Sequence, residues 1–439
     1  MPKSSYLTQL QLGMSPSERF NQIIEQGMCI GCGICQSICD PGQLKMKKVT
    51  SGYFRPIVES PLSHEQVDRI MDICPGTRVD GLTEEQINIA AADDDVWGWV
   101  ADCYFSHAKD PEIRHMASTG GVLTALALYL IESSEVHFIL HAREPRDEPI
   151  FGEACISRTR QDVLNASGSR YGQTATLETI CDQLEHCERS SETFGFIGTP
   201  CDISALRNLA RHDSRVDRYC RYMLTMVCGG FMEPASFKHC LAEINIDSDQ
   251  IASLRYRGYG CPGPTTIITH QGKKVSKNYL EFWGEDDSGW QLPPRCIVCP
   301  DGIGDSADIA ASDTWEGGAP NWEDQKTDLG TNAVILRTKR GLELMQAAEK
   351  AGYLVKGDQL TTADMNRFQP HQEAKKRAVW ARFLGMKQAN SLVPDTRGLR
   401  LERLYQQNTP EDNERETQGA KRRAESGRFC EIKPIPVSS

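Results

Sequence analysis

Cysteines 29, 32, 35 and 39 form a Cys-x2-Cys-x2-Cys-x3-Cys run, and a later cysteine, Cys74, is followed directly by Pro75. No other feature constrains the fold as much. For three thiolates two residues apart to serve one centre, the backbone must wrap a tight loop whose sulfurs point inward and whose amides face the same centre. Gly31 and Gly33 fit this loop, because close approach of backbone to a centre favours residues without a side chain. A structural zinc site is the competing reading, and two Cys-x2-Cys pairs alone would favour it. The third cysteine at x2 spacing, the x3 fourth and the distant Cys-Pro shift the balance to iron-sulfur.

In the bacterial ferredoxin pattern the fourth cysteine of such a run serves a different cluster from the first three. Cys29, Cys32 and Cys35 are therefore expected to share one 4Fe-4S cube with Cys74, leaving Cys39 for a second. Cys296-Ile297-Val298-Cys299-Pro300 supplies two more thiols for that second cube. Its fourth ligand is expected to be Cys228, which follows a predicted strand; Cys201 and Cys261 are the alternatives.

The 439 residues exceed the size at which single cores stop growing, so more than one domain is expected. A net charge of -11 with no basic patch argues against a nucleic-acid partner. No apolar run reaches the length of a membrane helix, and the N-terminal MPKSSYLTQLQLGM lacks a signal-peptide core, so a cytoplasmic location is expected. Reduced thiolates on clusters then explain 17 cysteines better than disulfides do. Cys155, Cys181 and Cys240 are expected to be buried free thiols.

The expected fold is α/β, in four parts. Residues 1–90 form a ferredoxin-like iron-sulfur module, in which SPSERFNQIIEQG and SHEQVDRIMDIC are helices and GYFRPIVES is extended. Asp93, Asp94 and Asp95 are read as a solvated connection. Residues 100–248 form a central mixed α/β sheet domain, 249–395 an α+β region, and 396–439 a charged tail, disordered or a loosely attached helix.

Three segments of the central domain suggest a bound anion. Ser118, Thr119, Gly120 and Gly121 precede the apolar VLTALALYLIESSE, with Ser118 as the expected N-cap, and a helix start of this kind offers amides to a phosphate; plain capping is the alternative. Ser167, Gly168, Ser169, Arg170 and Tyr171 form a polar loop, with Tyr171 free to stack on a ring. TFGFI-GTPCD-ISALR and RYMLTMV-CGGF repeat a strand-turn-helix plan that sets Gly198, Thr199, Pro200, Cys201, Cys228 and Gly229 along one sheet edge. There is no GxGxxG or Walker A motif.

In order along the chain, the cysteine run, ASTGGVLTALALYL, GSRYGQ, FIGTPCDISALR, MVCGGF and CIVCPDGIGDSADIAASDTWEGG resemble the beta subunits of hydrogenases and dehydrogenases that use the methanogen deazaflavin coenzyme. That family also holds 7-hydroxymethyl chlorophyll a reductase and ferredoxin-dependent divinyl chlorophyllide reductase. The resemblance implies two 4Fe-4S clusters and one FAD, with Ser118 to Gly121, Ser167 to Tyr171 and Gly198 to Thr199 near the flavin. It further implies Cys228, Cys296 and Cys299 as cluster ligands. RYRGYGCPGP at 255–264 and the tail after 396 depart from the family pattern.

The chemistry then expected is one-electron delivery by reduced ferredoxin or a similar donor through both clusters to FAD, which reduces a small organic substrate, a tetrapyrrole among the options. His115, Tyr171 and Asp313 are the candidate proton donors. Arg170 and Arg257 could meet a substrate carboxylate, although arginines at loop ends are usually solvated. The other reading is an electron-transfer subunit that links a deazaflavin or nicotinamide to a partner hydrogenase or dehydrogenase. A non-enzymatic cluster sensor is the third. Self-association of the chain is left open.

Overall fold

The computed structural model describes residues 6–283 and 291–437, so the first five residues of the N-terminal stretch lie outside the described residues. Helix α1 (Pro16–Glu25) opens on a reciprocal Ser15–Glu18 capping box, with proline in its first turn. Its apolar face buries Phe20, Ile23 and Ile24. After the first three cysteines come a one-turn helix α2 (Ile34–Ile38), the antiparallel pair β1 (Leu44–Lys48) and β2 (Phe54–Val58), and α3 (His64–Ile73), capped by Ser63.

Eight strands make the central sheet. In chain order they are β3 (Asp102–Ala108), β4 (Phe138–Arg143), β5 (Glu153–Ser157), β6 (Phe194–Gly198), β7 (Cys220–Met226), β8 (Ile309–Ser312), β9 (Asn332–Leu336) and β10 (Leu354–Gln359). In space they run β10-β3-β9-β8-β7-β6-β4-β5. Strands β4, β6, β7 and β8 are mutually parallel, and β3 runs the same way because β9 is antiparallel to both β8 and β3. The carboxyl ends of five strands therefore share one edge, where ligands of open α/β sheets bind. Gly198 lies level with Thr225 on that edge, as the repeated strand-turn-helix plan predicted. Residue 248 is not a boundary of this sheet, since β8, β9 and β10 all come from beyond it.

Beneath the sheet runs α4 (Val122–Glu132), whose Val122, Leu126, Leu128 and Leu130 are fully buried. Its N-cap is Gly121 at φ 78, not Ser118, because a short helix, Pro111–Met116, turns the chain before it. A separate three-stranded antiparallel sheet (251–255, 265–269, 274–277) packs through Leu254 and Ile267 against Phe237 and Trp283.

The charged tail is ordered. Helix α5 (Pro370–Gln388) carries α6 (Leu401–Gln407) and α7 (Pro410–Glu425) against it. Ala420 is fully buried, and Thr417 Oγ1 donates to the Ala381 carbonyl at 3.2 Å. A Cβ at Gly385 would fall 2.1 Å from the Thr417 carbonyl oxygen, so a glycine is what lets these helices touch. Asp93 is exposed, as a solvated connection predicts, but the acidic run is also paired: Arg400 and Arg403 pair with Asp93 at 3.2 and 3.1 Å, and Arg403 pairs with Asp95 at 2.5 Å. Among the described residues no helix is long and apolar enough to cross a membrane.

Candidate functional site

The loop from α1 to α2 turns through the left-handed region at Gly27 (φ 68), Gly31 (φ 76) and Gly33 (φ 81), and the last two curl Cys29, Cys32 and Cys35 around one point. Gln173 pins it from outside, donating to the Ile30 carbonyl at 2.8 Å and accepting from the Phe54 amide at 2.8 Å. Cys74 arrives at the end of α3, where the Gly76 amide donates to its sulfur at 3.4 Å. Burial pushes all four thiols up, Cys74 to about 12, and Cys32, Cys35 and Cys74 are raised further by others of the set. The amides of Gly31, Ile34 and Gln36 face the sulfurs of Cys29, Cys32 and Cys35 and pull the other way. Such thiols stay protonated on their own, and a cationic centre is what makes the thiolates stable.

A second set gathers at the sheet edge. Cys201 sits in the first turn of the helix after β6 (Pro200–Ala210), Cys228 just past β7, and Cys296 and Cys299 around the turn at Pro294–Ile297. Burial and the nearby Cys296 and Cys299 push Cys228 up to about 12. Burial, Asp202, Cys228 and Cys299 push Cys201 well up. Cys201 thus stands with Cys228, Cys296 and Cys299, whereas Cys39, expected among them, stands apart. Cys39 ends α2 in an extended conformation that carries it off the loop. Burial raises its thiol to about 11, and beyond Cys35 its charged surroundings are Asp40, Arg69 and Cys181. Cys261, buried beside Asp328, belongs to neither set.

Arg295 ties the quartets together. Buried at 2% exposure, it donates to the Pro75 carbonyl at 2.8 Å and lies beside Cys299 and Cys201. Among the described residues, no three His, Cys, Asp or Glu side chains converge closely enough to hold a single metal ion.

Further along the edge the predicted anion segments meet. The Ser169 amide and hydroxyl both donate to Ser118 Oγ, at 3.0 and 2.8 Å. Beneath them Arg257, 4% exposed, donates to the Ser118 carbonyl at 2.8 Å, Thr119 Oγ1 at 3.1 Å, Tyr171 Oη at 3.1 Å and both oxygens of Asp313 at 3.0 and 3.2 Å. Arg255 donates to the carbonyls of Ser167, at 3.3 Å, and of Met116. Arg170 holds the carbonyls of Leu254 and Phe151 at 2.7 and 2.8 Å, and that of Pro149. None of the three is a solvated loop-end arginine. Burial holds Arg170 and Arg255 below the usual arginine range, and among the described residues neither makes an ion pair. The Nε atoms of all three are buried without a hydrogen-bond partner. Two serine hydroxyls and Gly168, at φ 118, stand over this surplus of positive charge, which fits an anion such as a phosphate.

Other expectations shift. Asn332 Oδ1 accepts from the Val122 amide at 3.3 Å, and a Cβ at Gly120 would meet Asn332, so Gly120 and Gly121 serve packing and not an open amide cradle. Gly198, Thr199 and Pro200 shape the Cys201 turn: Thr199 caps its helix, and its hydroxyl lies 3.0 Å from Cys201 Sγ. Tyr171 is not free to stack, since it packs edge-on against Tyr256 and Trp283. Of the three candidate proton donors, Arg257 joins Tyr171 to Asp313, whereas His115 is exposed and lies edge-on to Tyr259. Arg255, Arg295 and Asn332 were not singled out in the sequence, and a lone arginine or asparagine carries no spacing signal there.

The family model "Coenzyme F420 hydrogenase/dehydrogenase, beta subunit N-term" matches residues 103–180, and its companion for the C terminus of the same subunit matches residues 191–359. The rim and the second quartet lie inside these spans, and the first quartet lies outside them. The chain is 22% identical over 374 residues to the coenzyme F420-dependent sulfite reductase of Methanocaldococcus jannaschii, covering 82% of this chain but 52% of that protein. It is 23% identical over 261 residues to a coenzyme F420 hydrogenase subunit beta of Methanococcus voltae, covering 57% of this chain and 81% of that protein. An F420-dependent formate dehydrogenase 1 subunit beta of Methanococcus maripaludis is 25% identical over 262 residues, covering 58% of this chain and 60% of that one. In fold the chain resembles one from the F420-reducing [NiFe] hydrogenase complex of Methanosarcina barkeri, with a TM-score of 0.50 and 20% identity over 67% of this chain and 97% of that one. With the two family models together spanning more than half of its length, the chain belongs to the coenzyme F420 hydrogenase/dehydrogenase beta-subunit family.

Proposed function

We propose that this chain is the electron-transfer subunit of an oxidoreductase, exchanging reducing equivalents with a deazaflavin coenzyme at the sheet edge and passing single electrons to a partner catalytic subunit. The observation that carries the reading is the pair of largely half-buried cysteine quartets bridged by Arg295, with the second quartet and the anion rim on one sheet edge. Each quartet fits a 4Fe-4S cluster: thiols that burial keeps from ionising on their own, and backbone amides aimed at the sulfurs. Ser118, Ser169, Arg255 and Arg257 suit the phosphate of a flavin dinucleotide, and FAD is the cofactor the family resemblance implies. When bound, a flavin and clusters together convert two-electron into one-electron transfer. The chain's own residues do the rest: Arg257 fixes Tyr171 and Asp313 at the rim, and Arg295 holds the quartets in register.

The relatives are named as F420-dependent hydrogenase, dehydrogenase and reductase proteins, which supports this reading over a self-contained ferredoxin-dependent reductase of a tetrapyrrole. The test is to reconstitute the full chain without oxygen, with iron, sulfide and FAD, and to add reduced deazaflavin coenzyme and a viologen as one-electron acceptor. Viologen reduction supports the proposal. Failure of the quartets to take up iron, or turnover of a small organic substrate with reduced ferredoxin alone, overturns it.

A further inference from the structure

The side chain of Arg55 is fully buried, an unusual place for a guanidinium, and its partner comes from the far end of the chain. Arg55 Nε and Nη2 donate to the two oxygens of Glu431 at 2.7 and 2.6 Å, a bidentate pair spanning 376 residues, and the Glu431 side chain is 8% exposed. The remaining nitrogen, Nη1, donates to the Phe54 carbonyl at 2.9 Å. Phe54 is also held by Gln173, which grips the cysteine loop at Ile30, and the guanidinium stacks over the Tyr53 ring at 4.2 Å. The pair lies against Cys29, where Arg55 and Glu431 act on the thiol with opposite signs.

A strap built for the purpose holds Glu431 there. The Glu431 amide donates to the Glu25 carbonyl at 2.8 Å, at the end of α1. Phe429 is buried, and its carbonyl packs so tightly on Gly27 (φ +68) that a Cβ there would fall 2.6 Å away. Beyond it Thr50 donates to Ile435 at 2.9 Å, Val437 donates to Lys48 at 3.0 Å, and Val49 and Pro436 form an antiparallel bridge. The carboxylate is thereby fixed from both sides along the chain.

We propose that Glu431 is a positioning residue for electron transfer: by pairing with Arg55 beside Cys29, the C-terminal strap sets the reduction potential of the centre held by Cys29, Cys32, Cys35 and Cys74. This rests on the first quartet holding a 4Fe-4S cluster. Reduction adds one negative charge to such a centre, and the nearby net charge is one of the levers on its potential. Arg55 alone would favour the reduced form; Glu431 offsets that pull while keeping the guanidinium in place. The low dielectric of a buried site makes both effects large.

The test uses the full chain, reconstituted without oxygen and titrated electrochemically while the reduced clusters are followed by electron paramagnetic resonance. Glu431→Gln keeps the shape of the pair and removes its negative charge, so one centre moves to a more positive potential and the other stays. Arg55→Gln moves the same centre the opposite way. Cys32→Ser identifies that centre by abolishing its signal. Intact signals with unmoved potentials in the Glu431→Gln chain overturn the inference and leave the cluster reading standing. Absence of a signal dependent on Cys32 in the unaltered chain overturns the cluster reading itself.

Discussion

Arg295 Nη2 donates to the carbonyl oxygen of Pro75 at 2.8 Å, so the residue before Cys296 holds the residue after Cys74. Both partners are buried, and the guanidinium lies beside Cys299 and Cys201. Under the proposed function electrons pass between the two quartets, and this side chain fixes their separation. Arg295→Ala leaves a buried carbonyl unpartnered and deletes a packed side chain, at a cost of about 2 kcal/mol. Thermal unfolding of the iron-free chain should show this loss. The reconstituted variant should also transfer electrons to viologen more slowly while binding normal amounts of iron.

The two quartets separate their cysteines sharply. Cys201→Ser should remove one cluster, seen as a loss of about half the bound iron and of one paramagnetic signal, given four irons per cube. Cys39→Ser should leave both clusters in place, because Asp40, Arg69 and Cys181 surround Cys39, and of the two quartets only Cys35 is near it. Equal iron loss in both variants would return Cys39 to the ligand set.

Arg257 makes five hydrogen bonds with a planar fork that a lysine cannot reproduce. Arg257→Lys should therefore lower stability by roughly 2–3 kcal/mol, less than the loss of a wholly buried pair because the Asp313 side chain keeps 24% of its exposure. Coenzyme affinity should fall in the same variant, since Ser118, Thr119 and Tyr171 lose their common anchor. Calorimetric titration with FAD and with the deazaflavin, each at fixed temperature below the unfolding midpoint, measures it.

The cysteine run was legible because its spacing is local, and the structure brings Cys74 beside Cys29, Cys32 and Cys35. The strand-turn-helix plan was legible for a similar reason: TFGFI and RYMLTMV are short apolar strands bounded by turn residues. The place of Cys39 was not legible, because it depends on how far a five-residue helix carries it, which is a matter of tertiary packing. The tail misled for a different reason. Its sequence is densely charged, but Asn413, Thr417 and Ala420 present a narrow small-residue face that needs only Gly385 opposite it. Charge density reports the exposed side of such a helix and hides the buried one. Arg55 and Glu431 lie at opposite ends of the chain, and no local pattern links them.

His141 gives the chain an acid response of predictable sign. It lies on β4, 8% exposed, with Nε2 2.7 Å from Ser157 Oγ, and burial pushes its imidazole down to about 4. An unfolded histidine titrates near 6.5. Between these values the unfolded chain binds the extra proton, so the contribution of His141 to stability is complete above about pH 6.5 and is lost as the pH falls toward 4. The slope from this one group approaches about 1.4 kcal/mol per pH unit within that window. His141→Gln removes the titration and keeps a polar partner for Ser157. Denaturant unfolding of the two chains at pH 7.5, 6 and 5 should show the stability gap between them shifting in favour of the variant as the pH drops, whatever its size at pH 7.5. A gap independent of pH would mean that His141 titrates normally in the folded chain.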